Sequence, residues 1–278
     1  MAEQVWRPLN SSARDGIVLA VDYPFTGRPE AGFGELVATL APDHEVWESV
    51  PPTGGAETGM TGGDYVRWWL SGLDSRPVHA VLGFCAGSVY AAAIADRLAA
   101  TGTRPEVVLF DPEAPSRITV YWQFHKVLDG LSVALEPDEV AEHQQRGREL
   151  AERTEDLAVL RDALLAVFLE AGATAFARAG LDEVRRDEFA ATVSAFMTYL
   201  VAAAGLDPAE AWRQATAISS RTTTNGLNLV DPAAREGMVA EDIRFDVEHA
   251  DLLRDPGVAR AVAGLLARRG AGSSTARP

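Results

Sequence analysis

The chain has 278 residues, 47% of them hydrophobic, a single cysteine and a formal net charge of −15. This length and apolar share suffice for one large core, the lone cysteine rules out an internal disulfide framework and suits a reducing cytosol, and an acidic balance without a basic stripe argues against nucleic acid as a partner. No stretch approaches the roughly 18 uninterrupted apolar residues of a membrane span, and Met1-Ala2-Glu3-Gln4 lacks the regions of a signal peptide, so a cytoplasmic protein that does not enter membranes is expected.

In chain order, residues 17–22 read as a strand and 34–40 as a helix with Phe33, Leu36, Val37 and Leu40 on one side. Residues 44–50 read as a second strand and 64–73 as a helix. The apolar run 78–82 is a short buried strand, 88–100 an alanine-rich helix that stops before Gly102, and 106–110 a strand that ends on Asp111. This alternation predicts an α/β fold, a mostly parallel sheet with helices on both faces.

After Pro115 strand signals vanish for about a hundred residues, and helical periodicity takes over. Leu157, Leu160, Leu164, Val167, Phe168 and Ala171 recur at helical spacing, as do Phe189, Val193, Phe196, Met197, Leu200 and Val201. Residues 116–215 are therefore expected to form a helical lid inserted after the strand that ends at Asp111. Strands at 216–222 and 243–247 and a helix at 256–269 return to the core, which spans 1–115 and 216–270, and 271–278 form a small, polar tail expected to be disordered.

Cys85 sits in Gly83-Phe84-Cys85-Ala86-Gly87, where the strand hands over to the helix. A nucleophile held on such a turn needs small flanking residues, because its backbone is strained and neighbouring chains come close. The helix N-terminus then favours a thiolate. The alternative is a buried cysteine packing as a small hydrophobe.

A thiol of this kind needs a base, and the base needs an orienting acid. His249 follows the strand 243–247 and is the expected base; His44, His79, His125 and His143 read as structural or exposed, although His125 could reach a substrate from the lid. Asp111 is the expected acid, Asp231 the alternative, and Asp22, Asp246 and Asp251 weaker candidates. The Ala86 N–H and one N–H of the loop Tyr23-Pro24-Phe25-Thr26-Gly27, from Phe25 or Thr26, would form an oxyanion hole. Scattered His and one Cys offer no metal site, and neither Gly54-Gly55 nor Gly62-Gly63 matches a phosphate-cradling loop.

Taken together, Pro24-Phe25-Thr26-Gly27, Gly62-Gly63-Asp64-Tyr65, Gly83-Phe84-Cys85-Ala86-Gly87, Leu109-Phe110-Asp111 and His249 resemble the thioesterase branch of the α/β-hydrolases, which serves polyketide and nonribosomal peptide assembly lines. The likeness covers residues 17–111 and from 243 onward; the lid matches only in being helical. Two departures bear on chemistry: Cys85 replaces the usual serine, and Ser88 stands where a second glycine often follows. A narrower resemblance is to the Dieckmann cyclases that release tetramic acids (pyrrolidine-2,4-diones) through a Cys-Asp-His triad.

That resemblance implies Cys85 as nucleophile, Asp111 as acid and His249 as base, acting without a cofactor on a β-ketoacyl-aminoacyl thioester carried on the phosphopantetheine of an acyl or peptidyl carrier protein. It makes Tyr121, Trp122, Phe124, Phe196 and Met197 candidate substrate-lining residues of the lid, with plain packing inside the lid as the alternative. The chain's negative charge opposes an acidic carrier unless a patch around Arg260, Arg268 and Arg269 compensates. A hydrolytic or macrocyclising thioesterase and a cysteine-dependent acyl or aminoacyl transferase share the same residues.

Overall fold

The computed structural model describes residues 4–24 and 28–272, with side chains described as far as residue 267. They form two compact units, one drawn from the described residues of 1–51, 62–114 and 206–278 and the other from 52–61 and 115–205.

The first unit is built on a seven-stranded sheet in the order β1-β3-β2-β4-β5-β6-β7. The strands are β1 (Trp6–Pro8), β2 (Ile17–Val21), β3 (Glu45–Ser49), β4 (Val78–Phe84), β5 (Glu106–Phe110), β6 (Thr216–Ser219) and β7 (Glu241–Arg244). Only β1 runs antiparallel, against β3; all other pairings are parallel. A strand covered on both faces reads as a continuous apolar run, and β2, Ile-Val-Leu-Ala-Val, is buried throughout.

The period of two then sorts the core. Val18, Ala20, Ala80, Leu82, Phe84, Val108 and Phe110 pack with Phe33, Leu36 and Val37 of α1 (Phe33–Leu40) and with Val258, Val262 and Leu265 of α10 (Pro256–Gly272). On the opposite face Gly83 lies against Ser88 and Ala91 of α3 (Gly87–Ala100). Tyr90 of α3 packs edge-on to Trp69 of α2 (Gly62–Ser71).

The second unit contains α4 (Arg117–Asp129), α5 (Pro137–Arg153), α6 (Leu157–Arg178) and α7 (Glu183–Ala204). Side-chain N-caps start three of them: Ser116 accepts from the Thr119 N–H, Asp156 from the Ala158 and Val159 N–H groups, and Asp182 from the Arg185 N–H. Leu160, Leu164, Val167 and Phe168 of α6 and Val193, Met197 and Leu200 of α7 are buried, as their spacing predicts. Gly147 of α5 admits the Phe124 ring of α4 so closely that a β-carbon would enter it. Among the described residues no helix is long and apolar enough to cross a membrane.

Several details depart from the sequence reading: β6 ends at Ser219 rather than 222, and α2 covers Gly62–Ser71 rather than 64–73. β1 is an unanticipated edge strand of three residues. The last strand lies at Glu241–Arg244 rather than 243–247, because its residues are half-buried or exposed and lack the apolar alternation that would locate it. Finally, α10 runs on to Gly272, so residues 271 and 272 extend the helix rather than join the tail; each terminal glycine costs only about 1 kcal/mol in a helix that has already propagated. Residues 273–278 lie outside the described residues.

Two short helices, α8 (Ala209–Trp212) and α9 (Pro232–Arg235), and the 3-10 turns Gly226–Leu229 and His249–Arg254 complete the first unit around β6 and β7.

Candidate active site

β4 and β5 are parallel neighbours with Phe84 in register with Phe110, so the next residue of each, Cys85 and Asp111, leaves the sheet at the same C-terminal edge. Both have left-handed backbones, φ +50° at Cys85 and +41° at Asp111. A non-glycine residue there costs about 1–3 kcal/mol and persists only where its surroundings over-determine it.

The surroundings do so at Cys85. Its N–H donates to Phe110 O at 2.9 Å, and its carbonyl accepts from the Ser88 N–H at 3.0 Å and the Glu113 N–H at 3.4 Å. The flanking glycines have steric reasons to be glycine. A β-carbon on Gly83 would lie 2.6 Å from Ser88 Cα, and one on Gly87 would collide with the Val21 carbonyl at the end of β2. The thiol residue itself is partly exposed. Ala86 is buried, and its N–H meets no acceptor among the described residues, as an oxyanion donor requires. Phe25 and Thr26, the candidates for the second donor, lie outside the described residues.

Asp111 is fully buried and fully used. Its Oδ2 accepts from His249 Nδ1 at 2.7 Å and its Oδ1 from the Ser220 N–H at 2.8 Å, while its own N–H donates to Ile218 O at 2.9 Å. Gly226, with φ +57°, presses on this turn, and a β-carbon there would stand 2.7 Å from Asp111 Cα. His249 is 7% exposed. Its backbone N–H donates to Thr222 Oγ1 at 2.8 Å, and its ring stacks on Phe84, with centroids 4.8 Å apart and planes inclined by 15°. The Nδ1 bond leaves Nε2 as the ring nitrogen open to a proton donor or acceptor.

The other acids have other duties. Asp22 pairs with Arg28, Asp231 caps α9, Asp246 pairs with Arg221 and Asp251 with Arg254. The remaining histidines also lie elsewhere. His44 and His79 meet with ring centroids 4.3 Å apart and planes inclined by 58° near the N-terminal ends of β3 and β4, the opposite edge of the sheet. Burial and the neighbouring His79 lower the His44 pKa. His125 and His143 belong to the helical unit.

So do the five candidate lining residues. Phe124 and Met197 are buried in that unit, Tyr121 is 7% exposed, Trp122 is 50% exposed and Phe196 half-buried. Arg260 is exposed on α10, and the side chains of Arg268 and Arg269 lie outside the described residues. No group of three or more His, Cys, Asp or Glu among the described residues could hold a metal ion.

The sequence reading did not single out Phe84, Ser220, Thr222 or Gly226 as parts of this site. Phe84 was visible as the residue before the thiol in the elbow. Asn225-Gly226 was visible as a turn dipeptide, but nothing local tied it to Asp111, more than a hundred residues away.

No protein-family profile and no curated protein matches the chain. Solved structures do resemble it. The Vlm2 thioesterase domain with genetically encoded 2,3-diaminopropionic acid, bound with a dodecadepsipeptide, is 20% identical, with 95% of this chain and 96% of that one covered and a TM-score of 0.50. The NocB thioesterase domain, in covalent complex with a fluorophosphonate nocardicin G analog, is 16% identical over 94% and 99% of the two chains, TM-score 0.53. The enol-lactonase from Burkholderia xenovorans LB400 is 16% identical over 94% and 95%, TM-score 0.53. At such identities the likeness is one of fold, and the fold is that of the α/β-hydrolases.

Proposed function

We propose that the chain is a chain-releasing Dieckmann cyclase, which takes a β-ketoacyl-aminoacyl group from a carrier-bound thioester onto Cys85 and releases it as a tetramic acid. One observation carries the reading: a partly exposed thiol on a left-handed elbow leaves the sheet beside a buried Asp111 whose carboxylate holds His249. That set of groups is the requirement for acyl transfer through a covalent intermediate.

In the first half-reaction the Cys85 thiolate adds to the substrate carbonyl, and the oxyanion is held by the Ala86 N–H and a second donor from the loop after β2. The C–S bond to the phosphopantetheine thiol then breaks, and the departing sulfur takes a proton from His249. In the second, His249 removes a proton from the carbon between the ketone and amide carbonyls. That carbon attacks the Cys85 thioester, a C–C bond closes the five-membered ring, and the C–S bond to Cys85 breaks to regenerate the thiolate. No water is consumed.

Cysteine suits this use. A thioester is a much better electrophile than an oxygen ester toward carbon nucleophiles and gains less toward hydroxide. The helical segment that begins directly after residue 114 is assigned the lid role on chain order alone, with water exclusion as its task, since water would give the linear acid. The reading needs no cofactor beyond the carrier's phosphopantetheine.

The fold shared with two thioesterase domains favours one second reading, a hydrolytic or macrocyclising thioesterase with the same triad. Incubation with a β-ketoacyl-aminoacyl thioester of a pantetheine-like thiol, in water enriched in heavy oxygen, separates the two. The cyclase gives a product lighter than the acid by one water and free of the label. A labelled linear acid as sole product overturns the cyclase reading and leaves the thioesterase. Transfer of the acyl group intact to a second thiol overturns both in favour of a transferase.

A further inference from the structure

After β2 one side chain ties together the described residues Asp22, Tyr23 and Ala31. Arg28 grips the Asp22 carboxylate with both terminal nitrogens, and its guanidinium also donates to Tyr23 O at 3.0 Å and Ala31 O at 3.4 Å. Both partners of the ion pair are largely buried, with side chains 16% and 6% exposed. Taking such charges out of water is costly and is offset only by full pairing, so an arrangement of this kind holds geometry better than it adds stability. Two further contacts lead from it to the candidate base. The Arg28 guanidinium lies over the Phe84 ring, 5.6 Å from its centre, and that ring stacks on His249. Beyond the clamp, the Ala31 N–H donates to Ala250 O at 2.8 Å, next to His249.

Asp111 fixes only one edge of the imidazole; the tilt of the ring about that hydrogen bond is left to whatever packs on its face. Phe84 packs there, and Arg28 contacts Phe84. We propose that Arg28 is a positioning residue, which sets the orientation of His249 through the Phe84 ring and holds the loop after β2 against the His249 turn. The role rests on the assignment of His249 as base to Cys85, and a small misplacement of such a base costs rate rather than binding.

The test uses the full chain and reads the thiol directly, by the rate of Cys85 alkylation with iodoacetamide at neutral pH and by the low-field proton resonance of His249 Nδ1–H. Arg28→Lys keeps a cation beside Asp22 but loses the planar fork; Phe84→Leu keeps apolar volume but removes the shared ring. Each is expected to melt below the wild type, since Phe84 lies in the core and the Arg28–Asp22 pair is buried, but to keep the native circular dichroism at the assay temperature, to shift or broaden the resonance and to slow alkylation about tenfold. The double variant is expected to be no slower than the worse single one, since both act through one contact. His249→Ala must slow alkylation as well, and no change there sinks the triad reading itself. With that control satisfied, an unchanged rate and resonance in Arg28→Lys, or strictly additive losses in the double variant, overturn the role of Arg28 alone.

Discussion

At Cys85 and Asp111 the chain accepts left-handed backbones on two side chains that glycine would carry more cheaply; Cys85 is braced through both its N–H and its carbonyl, and Asp111 through its N–H and its carboxylate. Because the strain belongs to the backbone, side-chain chemistry can be changed without releasing it. Cys85→Ser is expected to keep the fold, by circular dichroism and melting, and to lose most turnover of a thioester substrate. Asp111→Asn is the sharper probe. Asparagine tolerates the left-handed region, but its amide cannot hold the same imidazole tautomer, so kcat should fall about 10⁴-fold with little change in melting temperature. Wild-type kinetics in either variant would remove that residue from the mechanism. The sequence makes all three proposed catalytic positions visible, because each follows a strand and small residues flank the thiol. The braces that support them, Ser220, Thr222 and Gly226, arrive from loops distant in sequence and carry no local signal.

The elements around the site have their own checks. Gly87 opens α3 against the Val21 carbonyl, so Gly87→Ala forces the helix away from β2. Overpacking of this kind costs about 1–3 kcal/mol, and urea denaturation should show a loss of that size; an unchanged midpoint would mean the contact is slack. In the helical unit, the Arg178 guanidinium and then the Glu136 N–H hold the exposed Glu139 carboxyl at about 2, against an ordinary 4.5. The folded value is depressed, so the contribution of Glu139 to stability is fully present above 4.5 and fades as pH falls toward 2. Being exposed, it weakens with salt. A carboxyl-resolved NMR titration should show Glu139 titrating well below the other exposed glutamates and moving up toward the ordinary range in Arg178→Ala.

Periodicity found α6 and α7, whose apolar stripes are long, and the buried strands β2, β4 and β5. It failed for α5, where Pro137 to Arg153 is polar almost throughout and packs through Val140, Gly147 and Ala151. It failed too for β1, a three-residue edge strand ending in proline, and blurred β7, whose residues are not fully buried. In each of these the pairing or packing comes from tertiary neighbours rather than from a local pattern.

For the whole molecule, the net charge of −15 sets how a macromolecular substrate approaches. If the substrate rides on an acidic carrier, long-range repulsion opposes encounter, and salt screens it beyond about 10 Å at 0.1 M. The KM for a carrier-borne thioester should therefore fall as ionic strength rises from low to physiological values, while the KM for a small, uncharged thioester stays level. A carrier KM that climbs with salt would point instead to a complementary basic patch.

The covalent role of Cys85 is tested most directly by a substrate that can load but cannot close. A β-ketoamide thioester dimethylated at the carbon between its carbonyls has no proton there for His249 to remove, so the acyl group should accumulate on the enzyme. Intact-protein mass spectrometry with peptide mapping should find a single acyl adduct on Cys85 of the wild-type chain and none in Cys85→Ser. Turnover of the unmethylated substrate without any such adduct, or with the acyl group on another residue, would contradict the mechanism.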